Sequence, residues 1–183
     1  DRSVSRGLGD VYKRQLQDYR RIEGTFDRIV SVGMFEHVGC KNYRTFFEKT
    51  RSLLSPDGLF LLHTIGSNRD KMGADPWIHK YIFPNGMLPS PVRVTRAMAG
   101  YYVMEDWQNF GADYDRTLMA WHDNFERGRR EQRFACSEAL RRMYRYYLLS
   151  CAGAFRARDI QLWQLVLSPE GVPGGYSYQP LGL

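Results

Sequence analysis

Two apolar runs constrain the fold more than anything else in the chain. FDRIVSVG (26–33) and LFLLHTIG (59–66) each have the length of a buried strand, and each ends in glycine. Between them, KNYRTFFEKTRSLLSPDG (41–58) puts Tyr43, Phe46, Phe47, Thr50 and Leu53–Leu54 at helical spacing. Ser55-Pro56-Asp57-Gly58 reads as the turn that stops this helix. Strand, helix and strand with short connections form a βαβ unit, and its crossover makes the two strands parallel. Both strands then leave the sheet on the same side. GMFEH (33–37) and HTIG (63–66) therefore face one crevice, at the edge where open α/β sheets bind ligands.

The rest of the chain continues this layout. YYVMEDWQNFG (101–111) reads as a strand and a turn. ADYDRTLMAWHDNFERGRR (112–130) and EQRFACSEALRRMYRYYLLSCAGAFR (131–156) read as two helices, and DIQLWQLVLSP (159–169) as a closing strand. Residues 67–100 break the pattern. Pro76, Pro84, Pro89 and Pro91 stand among Trp77, Tyr81, Ile82 and Phe83, which reads as an irregular insertion of the kind used for lids and binding loops. Residues 1–15 are polar without a period and are read as a non-native or disordered end. Residues 170–183 are rich in Gly and Pro and are read as a flexible tail. That leaves 16–169 as the folded part, an α/β layout that resembles the second half of a doubly wound sheet. No GxGxxG turn is present, so the half that cradles phosphate or cofactor is expected upstream.

Composition narrows the partners. The 183 residues are 43% hydrophobic, enough for one globular core, and no apolar run reaches the length of a membrane span. Three cysteines, Cys40, Cys136 and Cys151, lack a CxxC or framework spacing, so free thiols in a reducing compartment and no structural metal are expected. The formal net charge is +6, and basic residues thicken in NFERGRREQRF (124–134) and ALRRMYRYY (139–147). Such a surface attracts anions. A solvated helix face accounts for it equally well. No RNP-like or helix-turn-helix signature is present, so nucleic acid is not an expected partner.

Five stretches in order, FDRIVSVGMFEHVG, GLFLLHTIG, DPWIHKYIFPNGMLPS, NFGADYDRTLMAW and CAGAFRARDIQLWQ, give a resemblance to a known family. From about Gln17 to about Ser168 the chain resembles the cyclopropane-fatty-acyl-phospholipid synthases and the related mycolic acid cyclopropane synthases. The DPWIHKYIFPNG loop and QDYR are more similar to the phospholipid branch. The resemblance implies the C-terminal half of a class I S-adenosylmethionine-dependent methyltransferase, with a Rossmann-like sheet and a helical insertion. It also implies methylene transfer from S-adenosylmethionine to a cis double bond in an acyl chain. The family's N-terminal domain, cofactor loop and an upstream cysteine have no counterpart here, so the chain is expected to be a C-terminal fragment that does not turn over alone. A homodimer formed through upstream chain is expected, together with a cytoplasmic location at the inner membrane face, on unsaturated phospholipid.

The chemistry explains why such residues are needed. An alkene attacks the sulfonium methyl weakly and leaves a carbocation, and closing the ring requires loss of a proton. The site must supply a base, tolerate a cation and exclude water. The resemblance implies bound bicarbonate as that base, held by Glu36, His63, Tyr114 and the backbone amide of Ile65. A carboxylate beside an anion is repulsive unless a proton is shared or a donor intervenes, and His63 and Tyr114 supply donors. The resemblance also implies Cys151 as a catalytic residue. Gln17, Asp18 and Tyr19 are implied beside the adenine, and Ser31, Val32 and Gly33 near the methionyl part. Tyr81 and Phe83 head the residues expected to line an acyl channel, before Tyr101, Trp107 and Tyr146. Each residue also has a plainer role open to it. Glu36 can cap a helix, His63 can be a satisfied core histidine, and Asp113 or Asp115 can cap the helix that carries Tyr114. Cys151 can be packing, and His37 reads as structural. Two further functions stay open: methyl transfer giving a branched lipid, and a non-catalytic membrane-binding fragment.

Overall fold

A computed structural model describes residues 15–70, 73 and 75–178. Residues 1–14, most of the expected non-native end, lie outside them, as do 71, 72, 74 and the final residues 179–183. Four strands, β1 (Phe26–Val32), β2 (Leu54–Ser67), β3 (Val103–Asn109) and β4 (Ile160–Ser168), form one sheet in the order β1-β2-β4-β3. β1 and β2 are parallel, with Val30 opposite Leu61 and Val32 opposite His63, as the βαβ reading requires. β4 runs antiparallel to both β2 and β3.

Alternation along β2 and β4 distributes the core between two faces. On one face Phe60, Leu62, Trp163, Leu165 and Leu167 meet Tyr43, Phe46 and Phe47 of α1 (Tyr43–Leu53). Val94, Ala97 and Met98 of α3 (Pro91–Met98) complete this cluster. On the other face Ile65 and Leu162 meet Leu118 of α4 (Gly111–Arg130) and Leu148, Ala152 and Phe155 of α5 (Glu138–Arg156). Each large apolar side chain so buried contributes about 1.5–3 kcal/mol relative to exposure. Gly66 is fixed by this packing, because a Cβ there would lie 2.0 Å from the Trp163 ring.

Three local readings are corrected. Residues 67–100 are not irregular throughout, since α2 (Pro76–Tyr81) and α3 lie inside them. Their prolines start these helices: Asp75 accepts the Trp77 and Ile78 amides, Ser90 accepts the Arg93 amide, and Pro76 and Pro91 follow at the first helical position. Ser55-Pro56-Asp57-Gly58 is not a free turn. It lies within β2, where the register slips between the Phe26–Leu54 and Arg28–Leu59 pairs. Residues 131–137 are not helical. Ser137 accepts the Leu140 amide and starts α5 at Glu138. In the tail, the Val172 amide bonds Glu105 Oε1 at 2.9 Å and the Gly171 amide bonds Ser168 Oγ at 3.0 Å.

Candidate active site

β1 ends at Val32, but β2 runs on to Ser67. On the side that faces β1, the continuing part of β2 therefore has backbone donors with no strand to receive them, and buried donors must find partners. The chain after β1 supplies these. Gly33, at φ +63°, turns the backbone sharply, and its amide bonds the His63 carbonyl at 3.1 Å. Phe35–His37 then forms a short 3-10 turn, anchored by Phe35 stacked on Tyr43 with ring centroids 4.1 Å apart. This turn points Glu36 back at β2, where its Oε1 accepts the Ile65 amide at 2.7 Å. Two residues on, the Ser67 amide bonds the Pro89 carbonyl at 2.9 Å, so the insertion closes the same edge. The Glu36 carbonyl accepts the Met87 amide at 2.8 Å and ties the insertion to the turn.

Glu36 is only 7% exposed, and its second oxygen, Oε2, has no hydrogen-bond partner among the described residues. It does not cap a helix. The Ile65 amide, expected to hold an anion, already donates to Glu36. His63 rises on the same face of β2 as Ile65, and its imidazole is kept below its ordinary pKa by burial, with Glu36 acting the other way. Tyr114, in the first turns of α4, packs edge-on to Phe155 with centroids 5.1 Å apart. Burial first, and Glu36 second, hold its hydroxyl above the usual range. Glu36, His63, Ile65 and Tyr114 therefore converge at the exits of β1 and β2.

Other expected residues have different surroundings. Neither Asp113 nor Asp115 caps α4, whose N-cap is Phe110; Asp115 pairs instead with Arg156, 2.9 Å away. His37 is not on a strand, as the face argument required. It sits in the 3-10 turn with its ring 5.9 Å from that of Phe83. Phe83 also meets Tyr147 edge-on at 5.9 Å, so it borders the site, and it is 42% exposed. The Tyr81 ring lies tilted against Trp77 at 5.5 Å, and Trp77 meets Tyr146 at 4.5 Å. Tyr101 carries Arg44 on its face, and Trp107 packs on Trp163. Gln17 bonds the Arg21 carbonyl, Asp18 caps the 3-10 turn Tyr19–Arg21 and pairs with Arg20, and the Tyr19 ring lies 5.5 Å from Phe46. At the end of β1, Val32 is exposed, while the buried Ser31 Oγ has no partner among the described residues.

Cys151 lies on α5 in the cluster around Tyr114 and Tyr147, and burial pushes its thiol up to about 11. Burial that disfavours the thiolate weakens a thiol as a nucleophile. At pH 8, Cys151 should alkylate at least about a hundredfold more slowly than an unperturbed exposed thiol. Mass-spectrometric timing of iodoacetamide labelling measures this.

Two residues beside the site escaped the sequence reading. Tyr147 projects from α5 beside Cys151 and Tyr114, and the spacing 144, 147, 148, 151, 155 carried that signal. Gln164 of β4 places its Nε2 3.1 Å from His63 Nδ1. Its signal was a glutamine in the middle of an otherwise apolar stretch, LWQLVL (162–167).

The family model described as mycolic acid cyclopropane synthetase matches residues 2–165. The chain belongs to that family. A cyclopropane-fatty-acyl-phospholipid synthase of Escherichia coli is 59% identical to this family member over 160 residues, which cover 87% of this chain and 42% of that protein. Tuberculostearic acid methyltransferase UfaA1 of Mycobacterium tuberculosis is 31% identical over 180 residues, covering 94% and 42%. The solved structure of the cyclopropane synthase MmaA2 from Mycobacterium tuberculosis superposes with a TM-score of 0.73 at 30% identity, covering 81% of this chain and 57% of that one. Mycolic acid cyclopropane synthase CmaA1, complexed with SAH and CTAB, gives the same values. The fold is thus the Rossmann-like class I methyltransferase fold, and the chain spans about two-fifths of the length of these curated relatives.

Proposed function

We propose that this chain is the C-terminal part of an enzyme that transfers a methylene group from S-adenosylmethionine to a cis double bond of an unsaturated phospholipid acyl chain, closing a cyclopropane ring. The observation that carries this reading is the buried Glu36, pinned by Ile65 through one oxygen and unpartnered at the other, beside His63 and Tyr114. A buried polar oxygen left unpaired is costly and suits a site that receives a ligand. An anion bearing a proton fits it, because a carboxyl can accept that proton while His63 and Tyr114 donate. Bicarbonate bound there would supply the base that removes the ring-closing proton. Glu36, His63 and Tyr114 would hold it, with Ile65 acting through Glu36. The partnerless Ser31 Oγ suits the methyl donor at the end of β1, as does Gly33, where a side chain would meet nothing within 4 Å of its Cβ.

The test uses the full-length protein with S-adenosylmethionine and vesicles of unsaturated phospholipid, with and without bicarbonate, and identifies the lipid by NMR and mass spectrometry. Cyclopropane protons that depend on bicarbonate are expected. A methyl-branched product would overturn ring closure, and cofactor binding without any product would overturn the phospholipid acceptor.

The proposed location is cytoplasmic and peripheral. No helix among the described residues is long and apolar enough to cross a membrane. Of the arginines in the basic stretches, Arg129 and Arg141 are engaged by Glu126, and Arg141 also by Glu138 at 2.6 Å. Arg142 and Arg145 are exposed and make no ion pair among the described residues. They line a groove of about 1120 Å³ with Trp77, Tyr81 and Tyr146, pairing cations with aromatic rings as an anionic lipid surface requires. Reversing Arg142 and Arg145 should weaken binding to anionic vesicles by about fivefold for each charge removed, measured by sedimentation at low salt. The difference should fade at high salt.

A further inference from the structure

His63 and Gln164 are direct partners across the antiparallel β2–β4 pair, so both side chains rise on the face that carries Ile65 and Leu162. Gln164 Nε2 lies 3.1 Å from His63 Nδ1. With the amide nitrogen facing the ring, this contact is satisfied when Nδ1 accepts and the single proton of the neutral ring sits on Nε2. Among the described residues Nε2 has no hydrogen-bond partner, so it is the ring nitrogen left for a ligand. The opposite tautomer would turn a lone pair toward a site that already holds the Glu36 carboxyl.

We infer that Gln164 is a positioning residue: it fixes His63 in the tautomer that carries its proton on Nε2 and so makes the imidazole a donor toward the ligand beside Glu36. The inference rests on the proposed site, but the tautomer exists whether or not the reaction does. Gln164 touches no reacting atom and acts only through His63. The ladder makes this effective. Gln164 is held on one side by β2 and on the other by β3, where Gln108 is its partner and donates to Asp106 Oδ2 at 2.6 Å. The imidazole is therefore oriented by the sheet itself, without a flexible loop.

The decisive measurement is the imidazole ¹⁵N spectrum of His63 in the full-length protein, recorded for wild type, Gln164→Glu and Gln164→Leu. Wild type should carry its proton on Nε2. Gln164→Glu should move that proton to Nδ1, because a carboxylate accepts where the amide donated, and should raise the His63 pKa. The acid limb of the activity profile should then move to higher pH. In Gln164→Glu, kcat should fall by about tenfold or more, the scale of losing an orienting partner, with KM for phospholipid changed less. Gln164→Leu, close in volume, keeps the packing and checks that the loss is not one of folding. A wild-type proton on Nδ1, or a tautomer and pKa unmoved by Gln164→Glu, would overturn the inference. The expected spectra without any cyclopropane product would retain the positioning role and reject the proposed reaction.

Discussion

Replacing Glu36 with Gln should lower turnover by about 10²–10⁴-fold, the usual range for a group that handles a proton in the transition state. Folding should survive. The Gln oxygen still accepts the Ile65 amide, so the bond that closes the end of β2 is kept. What is lost is the acidic oxygen, Oε2, that is buried without a partner. Glu36→Ala should lose activity and stability together, because it also leaves the Ile65 amide unpaired at a typical cost of about 1–3 kcal/mol. Steady-state kinetics with thermal unfolding of both variants separates the two effects. Full activity in Glu36→Gln would remove Glu36 from the mechanism.

The largest effect on stability should come from Phe35→Ala. Phe35 has 0% exposure, stacks on Tyr43 and lies 5.2 Å from Phe46 and 5.5 Å from Phe47. Truncating a buried Phe costs about 3–5 kcal/mol through lost transfer energy and the cavity left behind. A domain of this size is stable by about 5–15 kcal/mol, so the variant should be close to unfolding at moderate temperature. Phe35 also anchors the turn that aims Glu36, so activity should fall more than the folded fraction does. Phe35→Leu refills most of the cavity and should recover over half of the loss. Urea midpoints at unchanged slope measure both variants. A Phe35→Ala midpoint equal to wild type would mean that the Phe35–Tyr43–Phe46 packing does not hold the turn.

The sequence was most legible where structure is local and periodic. Phe46, Phe47, Phe60 and Leu62 announced their elements through spacing, and the parallel β1–β2 pair followed from the handedness of the connection. That alone put Glu36 and His63 at one edge. The insertion was less legible, because a proline that ends one helix can equally start another. Whether Pro76 and Pro91 break or begin a helix depends on the Asp75 and Ser90 caps that precede them.

The sequence by itself determined the βαβ unit, the helical face of α1, the presence of two later helices, the closing strand and the crevice between two strand exits. Each follows from interactions within a few residues or from a connection rule. Only the tertiary structure decided which groups touch one another in the crevice. The Glu36–Ile65 bond joins residues 29 apart, and it exists because β1 stops before β2 does. The Gln164–His63 contact joins residues 101 apart, and it exists because β4 pairs with β2 in one register. Which arginines remain free, and that the Cys151 thiol is buried, depend on neighbours brought in from elsewhere in the chain. Such contacts are made by the packing of whole elements, and no local pattern of residues encodes them.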